Sequence, residues 1–272
     1  MPELVIETGR IESQYWRDVW RYRELFLFFT WRDLLVRYKQ TVVGVSWSLI
    51  RPLLMMTVLT VVFGKLGKMP AAGVPYPLLV FCGMLPWQFF ATAISECGNS
   101  LVMNAGMISK VYFPRLVIAA SSVMTTLVDF LVSAVFLAVL MAYFHFPPHS
   151  TIFFLPFYLL LMIGISLGVG LWISALMVEY RDFRFIVPFI VQFGLYISPV
   201  GFQTTIIPER YRLLYSLNPM VGIIDGFRWC LLGPATPVFW PGVAISAAEV
   251  VLFITSGLWY FRKTERTFAD VI

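Results

Sequence analysis

Charge is scarce in these 272 residues: Asp, Glu, Lys and Arg together make up 13%, about half the share of an ordinary soluble domain. With 59% hydrophobic residues and a mean hydropathy of +0.81, too little polar surface remains to face water on every side. Cysteine is rare too. Cys82, Cys97 and Cys230 form no C-x-x-C pair, which argues against a disulfide framework and a thiolate metal site; they read as small buried hydrophobes. The two histidines, His145 and His149, flank two prolines in a short loop, too little for a metal centre. No phosphate loop is present, because Gly64-Lys65 and Gly67-Lys68 are followed by neither Ser nor Thr. Neither a Ser–His–Asp set nor a pair of carboxylates on one loop stands out. The chain is therefore expected not to be an enzyme by itself, with no catalytic residues, cofactor or metal of its own. Residues 1–41 do not have the short apolar core and small-residue cleavage site of a signal peptide.

Long apolar runs are what the sequence has in quantity. Six stand out, at 42–64, 77–98, 116–144, 152–178, 185–202 and 238–261. A bilayer core of roughly 30 Å takes about 20 helical residues, and the first run alone would extend about 34 Å. The third and fourth exceed the need and should tilt. Segment 203–237 is broken by Pro208, Pro219, Pro234 and Pro237, and suits short helices rather than a span. The expected fold is an all-α membrane protein with six transmembrane helices. Its permease domain spans 42–261, between a cytoplasmic arm at 1–41 and a cytoplasmic tail at 262–272. Of the twenty basic residues, fourteen fall on the side of the two ends and five on the other, with Arg51 inside the first run. Basic loops stay in the cytoplasm, so both termini are expected there.

The arm carries Trp16, Val19, Trp20 and Arg23 at helical spacing, continued by Leu27, Thr30, Trp31, Leu34 and Leu35. A Trp- and Arg-rich amphipathic helix over 15–38 fits the headgroup layer. Four charges fall inside apolar runs, Arg51, Glu96, Asp129 and Glu249, and such charges need a partner or a task. Arg51 and Glu96 lie at similar depth, which points to an ion pair; snorkelling of Arg51 is the alternative. Asp129 and Glu249 suit interhelical hydrogen bonds or a wet cavity better than a proton relay. Gly164 and Gly168 allow another helix to approach closely, and Pro86 should bend the second span. Trp47, Trp87, Phe89, Phe90, Phe193 and Tyr196 sit at or near span ends. They read as an interfacial belt or as flat faces lining a conduit for sugar rings.

Four patterns in order resemble the membrane subunit of polysaccharide-exporting ABC transporters of the O-antigen, capsule and teichoic-acid type. They are Arg37-Tyr38-Lys39-Gln40-Thr41 running through Trp47 to Pro52; Pro86-Trp87 with Asn99-Ser100 and Ile108-Ser109-Lys110-Val111-Tyr112-Phe113-Pro114-Arg115; Tyr180-Arg181-Asp182-Phe183; and Ser198-Pro199-Val200 with Asn218-Pro219 and Arg228. The resemblance covers about 23–261 and implies a homodimeric permease bound to two cytoplasmic ATPase subunits, which carry ATP and Mg. It implies that the arm is an interface helix and that the loop 99–114 couples to the ATPase. The residues implicated there are Asn104, Ile108, Lys110, Val111, Tyr112, Phe113, Pro114 and Arg115, with Tyr180, Arg181 and Asp182 forming a second cytoplasmic loop. It further implies that 203–232 forms two re-entrant helices closing the outer mouth, with Pro199, Asn218, Pro219, Asp225 and Arg228 at the gate. Asp225 and Arg228 are i, i+3 neighbours and could pair. Lys110 and Arg115 bracket an apolar patch expected to be exposed, the kind of surface a partner covers. The implied function is passage of a lipid-linked polysaccharide across the cytoplasmic, or inner, membrane. A proton-driven lipid or sugar flippase and an ABC exporter of another lipid or drug are the alternatives, and no nucleic acid is expected as a partner.

Overall fold

The computed structural model describes residues 12–39, 42–71, 73–108, 110–111, 113–265 and 268, with side chains from Tyr15 onward except those of 42–49. Trp47, Tyr112 and Ser109 thus lie outside the described side chains. The described chain is helical, with no strand among the described residues. In order come α1 (Glu12–Arg21), α2 (Arg23–Lys39), α3 (Val42–Leu59, continued by a π-helical stretch Thr60–Leu66), α4 (Tyr76–Met103) and α5 (Ala105–Ile108). These are followed by α6 (Leu116–Tyr143), α7 (Leu155–Glu179), α8 (Phe183–Ile197), α9 (Glu209–Tyr215), α10 (Pro219–Leu232) and α11 (Trp240–Glu265).

Four helical stretches among the described residues are long and apolar enough to cross a membrane: Tyr76–Met103, Leu116–Tyr143, Ser150–Glu179 and Trp240–Glu265. The first is the most enclosed, with 72% of its apolar window buried against about a third in the others. It forms the central column, with α6, α7 and α10 packed around it. Pro86 sits inside α4 without ending it. The fifth apolar run is shorter than its sequence suggested. Helix α8 stops at Ile197, because the chain turns through buried Ser198, Pro199 and Val200. Its fifteen residues reach only about 22 Å.

Close helix approach is written in glycine. A Cβ on Gly168 would come within 2.6 Å of the Phe253 carbonyl carbon, and one on Gly257 within 2.5 Å of the Gly168 oxygen. With Gly164 against Val250, this lets α7 and α11 pack backbone to backbone. Trp172 then stacks on Tyr260, centroids 4.2 Å apart. Its indole N–H donates to Ser256 at 3.1 Å.

The arm is two helices rather than one, with a turn at Tyr22 separating α1 from α2. Tyr22, Leu25 and Phe26 pack toward the core, and α2 runs along α6. The opposite side leaves Trp20, Leu27, Phe28 and Trp31 exposed. Turning the chain at Tyr22 lets α2 follow the body while the exposed indoles stay outside, where a headgroup layer would take them.

Candidate functional site

Chain direction places the arm, the α4–α6 connection, the α7–α8 turn and the end of α11 at one end of the bundle. Contacts confirm the grouping: Arg115, before α6, meets Glu265 at the end of α11, and Tyr260 donates to Glu179 at the end of α7 at 3.2 Å. The α9–α10 region lies at the other end, around the start of α4.

Midway along α4 and α6, a cavity of about 320 Å³ opens between the end of α2, α3, α4 and α6. Its walls mix Phe81, Phe89 and Phe130 with Gln88, Thr92 and Ser133, and it holds Arg37, Arg51, Glu96 and Asp129. The ion pair expected between Arg51 and Glu96 is replaced by another. Glu96 binds the Arg37 guanidinium at 2.7 Å, and Asp129 binds the other nitrogen of the same fork. Packing of α2 along α6 brings residue 37 between α4 and α6, a placement that depth along single helices could not reveal. The Tyr38 hydroxyl donates to Asp129, and burial, with that carboxylate beside it, pushes the phenol up so that it stays a donor. Arg37 and Asp129 are each a little over a quarter exposed. Part of the attraction is therefore screened, while the two-pronged geometry gives direction. The cluster ties the arm to two spans. Glu249 lies elsewhere, half-buried on α11.

The segment 104–115 differs from its expected form. Asn104 ends α4, and Ile108, Phe113 and Pro114 are buried. Lys110 and Val111 are exposed. The apolar patch thus narrows: Phe113 turns inward onto the Phe29 ring of α2, 5.8 Å away, because burying a phenyl outweighs presenting it. Arg115 is engaged by Glu265. Tyr180, Arg181 and Asp182 form an exposed turn on the same side.

At the other end, Asn218 caps α10 by accepting the Met220 N–H at 3.1 Å, and its amide donates to Ser198 at 2.9 Å. Pro219 follows at the first helical position, where its missing N–H costs nothing. The expected Asp225–Arg228 pair is not how these residues are satisfied. Asp225 accepts the Thr204 hydroxyl at 2.8 Å. Arg228, 1% exposed, donates to the carbonyls of Leu79 at 3.0 Å, Val200 at 2.7 Å and Phe202 at 2.7 Å. The turn after α8 wraps over α10 and aims its carbonyls at the guanidinium. Gly83 makes room, since a Cβ there would lie 2.5 Å from an Arg228 nitrogen. Thr204, Gly83 and Glu265 were invisible to sequence reasoning, because each acts through a partner distant in the chain.

The aromatic candidates divide. Trp87 and Phe89 are buried and Phe90 half-buried. Phe89 meets Phe130, which meets Phe227, an internal ladder at 5.8 and 6.0 Å. Phe193 and Tyr196 are exposed. With Phe185 and Phe189, each more than half exposed, they line one face of α8 at helical spacing.

The family description "ABC-2 type transporter" matches residues 24–232. An O-antigen export system permease protein RfbA of Myxococcus xanthus is 29% identical over 260 residues, covering 94% of this chain and 98% of its own. Two proteins of the same name from Klebsiella pneumoniae are 28% identical over 256 residues and 26% identical over 250. Each covers 92% of this chain and 95% of its own length. A match of that extent, over a helical body with several membrane-length helices, places this chain in the ABC-2 type transporter family.

Proposed function

We propose that this chain is the channel-forming permease subunit of an ATP-driven exporter of a lipid-linked, O-antigen-like polysaccharide. The observation that carries the reading is the end-to-end similarity to O-antigen export permeases, which takes in the arm, the 104–115 segment and the α9–α10 region alike. ATP and Mg belong to a separate ATPase subunit, and two copies of the permease enclose the conduit. The chain sits in the cytoplasmic, or inner, membrane with both termini in the cytoplasm. Helix α3 with its π-helical extension and the short α8 complete six spans, and α9 and α10 are re-entrant helices at the outer mouth. Buried Asp225 and Arg228 fit that assignment, because polar groups at membrane depth are tolerated where protein satisfies them.

In this reading Lys110, Val111 and the turn 180–182 meet the ATPase, and displacement of 104–115 is passed to the spans. The exposed aromatic face of α8 offers flat apolar surfaces along which sugar rings slide while their hydroxyls stay hydrated. The test is reconstitution with a cognate ABC-type ATPase subunit. Export of the lipid-linked glycan should require both ATP and that subunit; export driven by a proton gradient alone would overturn the assignment in favour of a secondary flippase.

A further inference from the structure

We propose that Glu265, at the end of α11, is a positioning residue for the coupling segment, locking 104–115 to the last helix so that movement delivered there reaches the rest of the bundle. This rests on the coupling role assigned above to that segment.

The contact is a reciprocal cap between two helix ends. The first N–H groups of α6 have no partner along their own helix, and the last carbonyls of α11 have none along theirs. Glu265 Oε1 accepts the Arg115 backbone N–H at 2.8 Å, placing a carboxylate at the positive end of the α6 dipole. The Arg115 guanidinium in turn donates to the Glu265 carbonyl, placing a cation at the negative end of α11. Phe268 completes the joint. Its fully buried ring packs on Phe261 at 5.5 Å and lies under the Arg115 guanidinium at 5.8 Å.

The other end of the segment is fastened to the arm. Arg32 donates to the Asn104 side chain at 3.0 Å and stacks on Phe29, whose ring meets Phe113. Arg262 lies over Tyr15 of α1 at 4.7 Å and so joins α11 to the arm. The segment is thus clasped between arm and last helix, with Lys110 and Val111 left exposed. Helix α11 continues to the opposite end, where Val243 and Ser246 press against Gly222 of α10. A push at 104–115 therefore has a contiguous packed route to α10, and Glu265 is the joint at which it enters.

The full chain is co-expressed with its ATPase subunit, and the complex is reconstituted into proteoliposomes. Export per ATP hydrolysed is measured for wild type, Glu265→Ala and Glu265→Gln, because glutamine keeps the oxygen that accepts the Arg115 N–H. Co-purification with the ATPase checks assembly. A reporter cysteine at exposed Trp259, against three native cysteines that are all buried, gives a second readout as its maleimide labelling with and without ATP.

Glu265→Ala should assemble, hydrolyse ATP, lose at least about fivefold in export per ATP and lose the ATP-dependent change at the reporter; Glu265→Gln should retain both. Wild-type coupling in an assembled Glu265→Ala complex would overturn the inference, as would a reporter blind to ATP in the wild type. If Glu265→Ala does not assemble, Phe268→Leu, which removes the ring under Arg115 and keeps apolar bulk, is read by the same two criteria. A wild-type complex that hydrolyses ATP but exports no glycan sinks the functional reading, while the reporter still decides this one.

Discussion

Replacing Arg228 tests how the α9–α10 end is held together. The guanidinium makes three hydrogen bonds at 2.7 to 3.0 Å to the carbonyls of Leu79, Val200 and Phe202. Substitution by Met keeps much of the volume and removes all three donors. Leu79 lies within α4 and, as a helix carbonyl, keeps its bond along the helix. The carbonyls of Val200 and Phe202 lie in a turn and lose a charged donor each, at about 1–3 kcal/mol apiece. Relief of the desolvation cost of a buried cation offsets part of this, leaving a net loss of about 3 kcal/mol. At about 2–4 °C per kcal/mol for a chain of this size, Tm should fall by roughly 6–12 °C. Lys, with charge but no fork, should fall between Met and wild type. A thiol-reactive dye suits the assay, because Cys82 and Cys230 are buried and react only when this region opens. A Met variant within about 2 °C of wild type, or more stable than the Lys variant, would refute the reasoning.

Gly83→Ala should lower Tm in the same direction, because the added methyl meets the Arg228 guanidinium at 2.5 Å. Dye unmasking checks it. Gly168→Ala should destabilise by about 1–3 kcal/mol, since its Cβ meets the backbone of Phe253 rather than a movable side chain; the same melt measures it. In a double-mutant cycle, Arg37→Ala and Glu96→Ala should couple by up to about 1 kcal/mol, more strongly than Arg51→Ala with Glu96→Ala. Equal coupling in the two cycles would restore the Arg51 pairing. Phe113→Ala should release α2 from its Phe29 contact and speed tryptic cleavage in the arm. Val111→Glu should leave Tm unchanged while reducing ATPase co-purification; a lowered Tm with intact co-purification would contradict the partner-facing role of residue 111.

Composition and pattern alone established a helical membrane protein, the ends of most long helices and the order of the segments. These are local properties: a run of apolar residues must leave water whatever it packs against, and proline and asparagine mark helix starts through their own backbone chemistry, as Asn218-Pro219 does. The helical spacing of Gly164 and Gly168 was likewise readable as a close-packing surface, though not its partner in α11. Tertiary structure alone decided which charges meet. Glu96 is bound by Arg37 from the arm rather than Arg51 from the neighbouring span, and Arg228 by three carbonyls rather than Asp225. Phe113 faces inward, and Glu265 caps a helix that begins 149 residues earlier at Leu116. Hydrogen bonds and ion pairs act over about 3 Å, and separation along a chain carries no information about that distance once helices pack side by side.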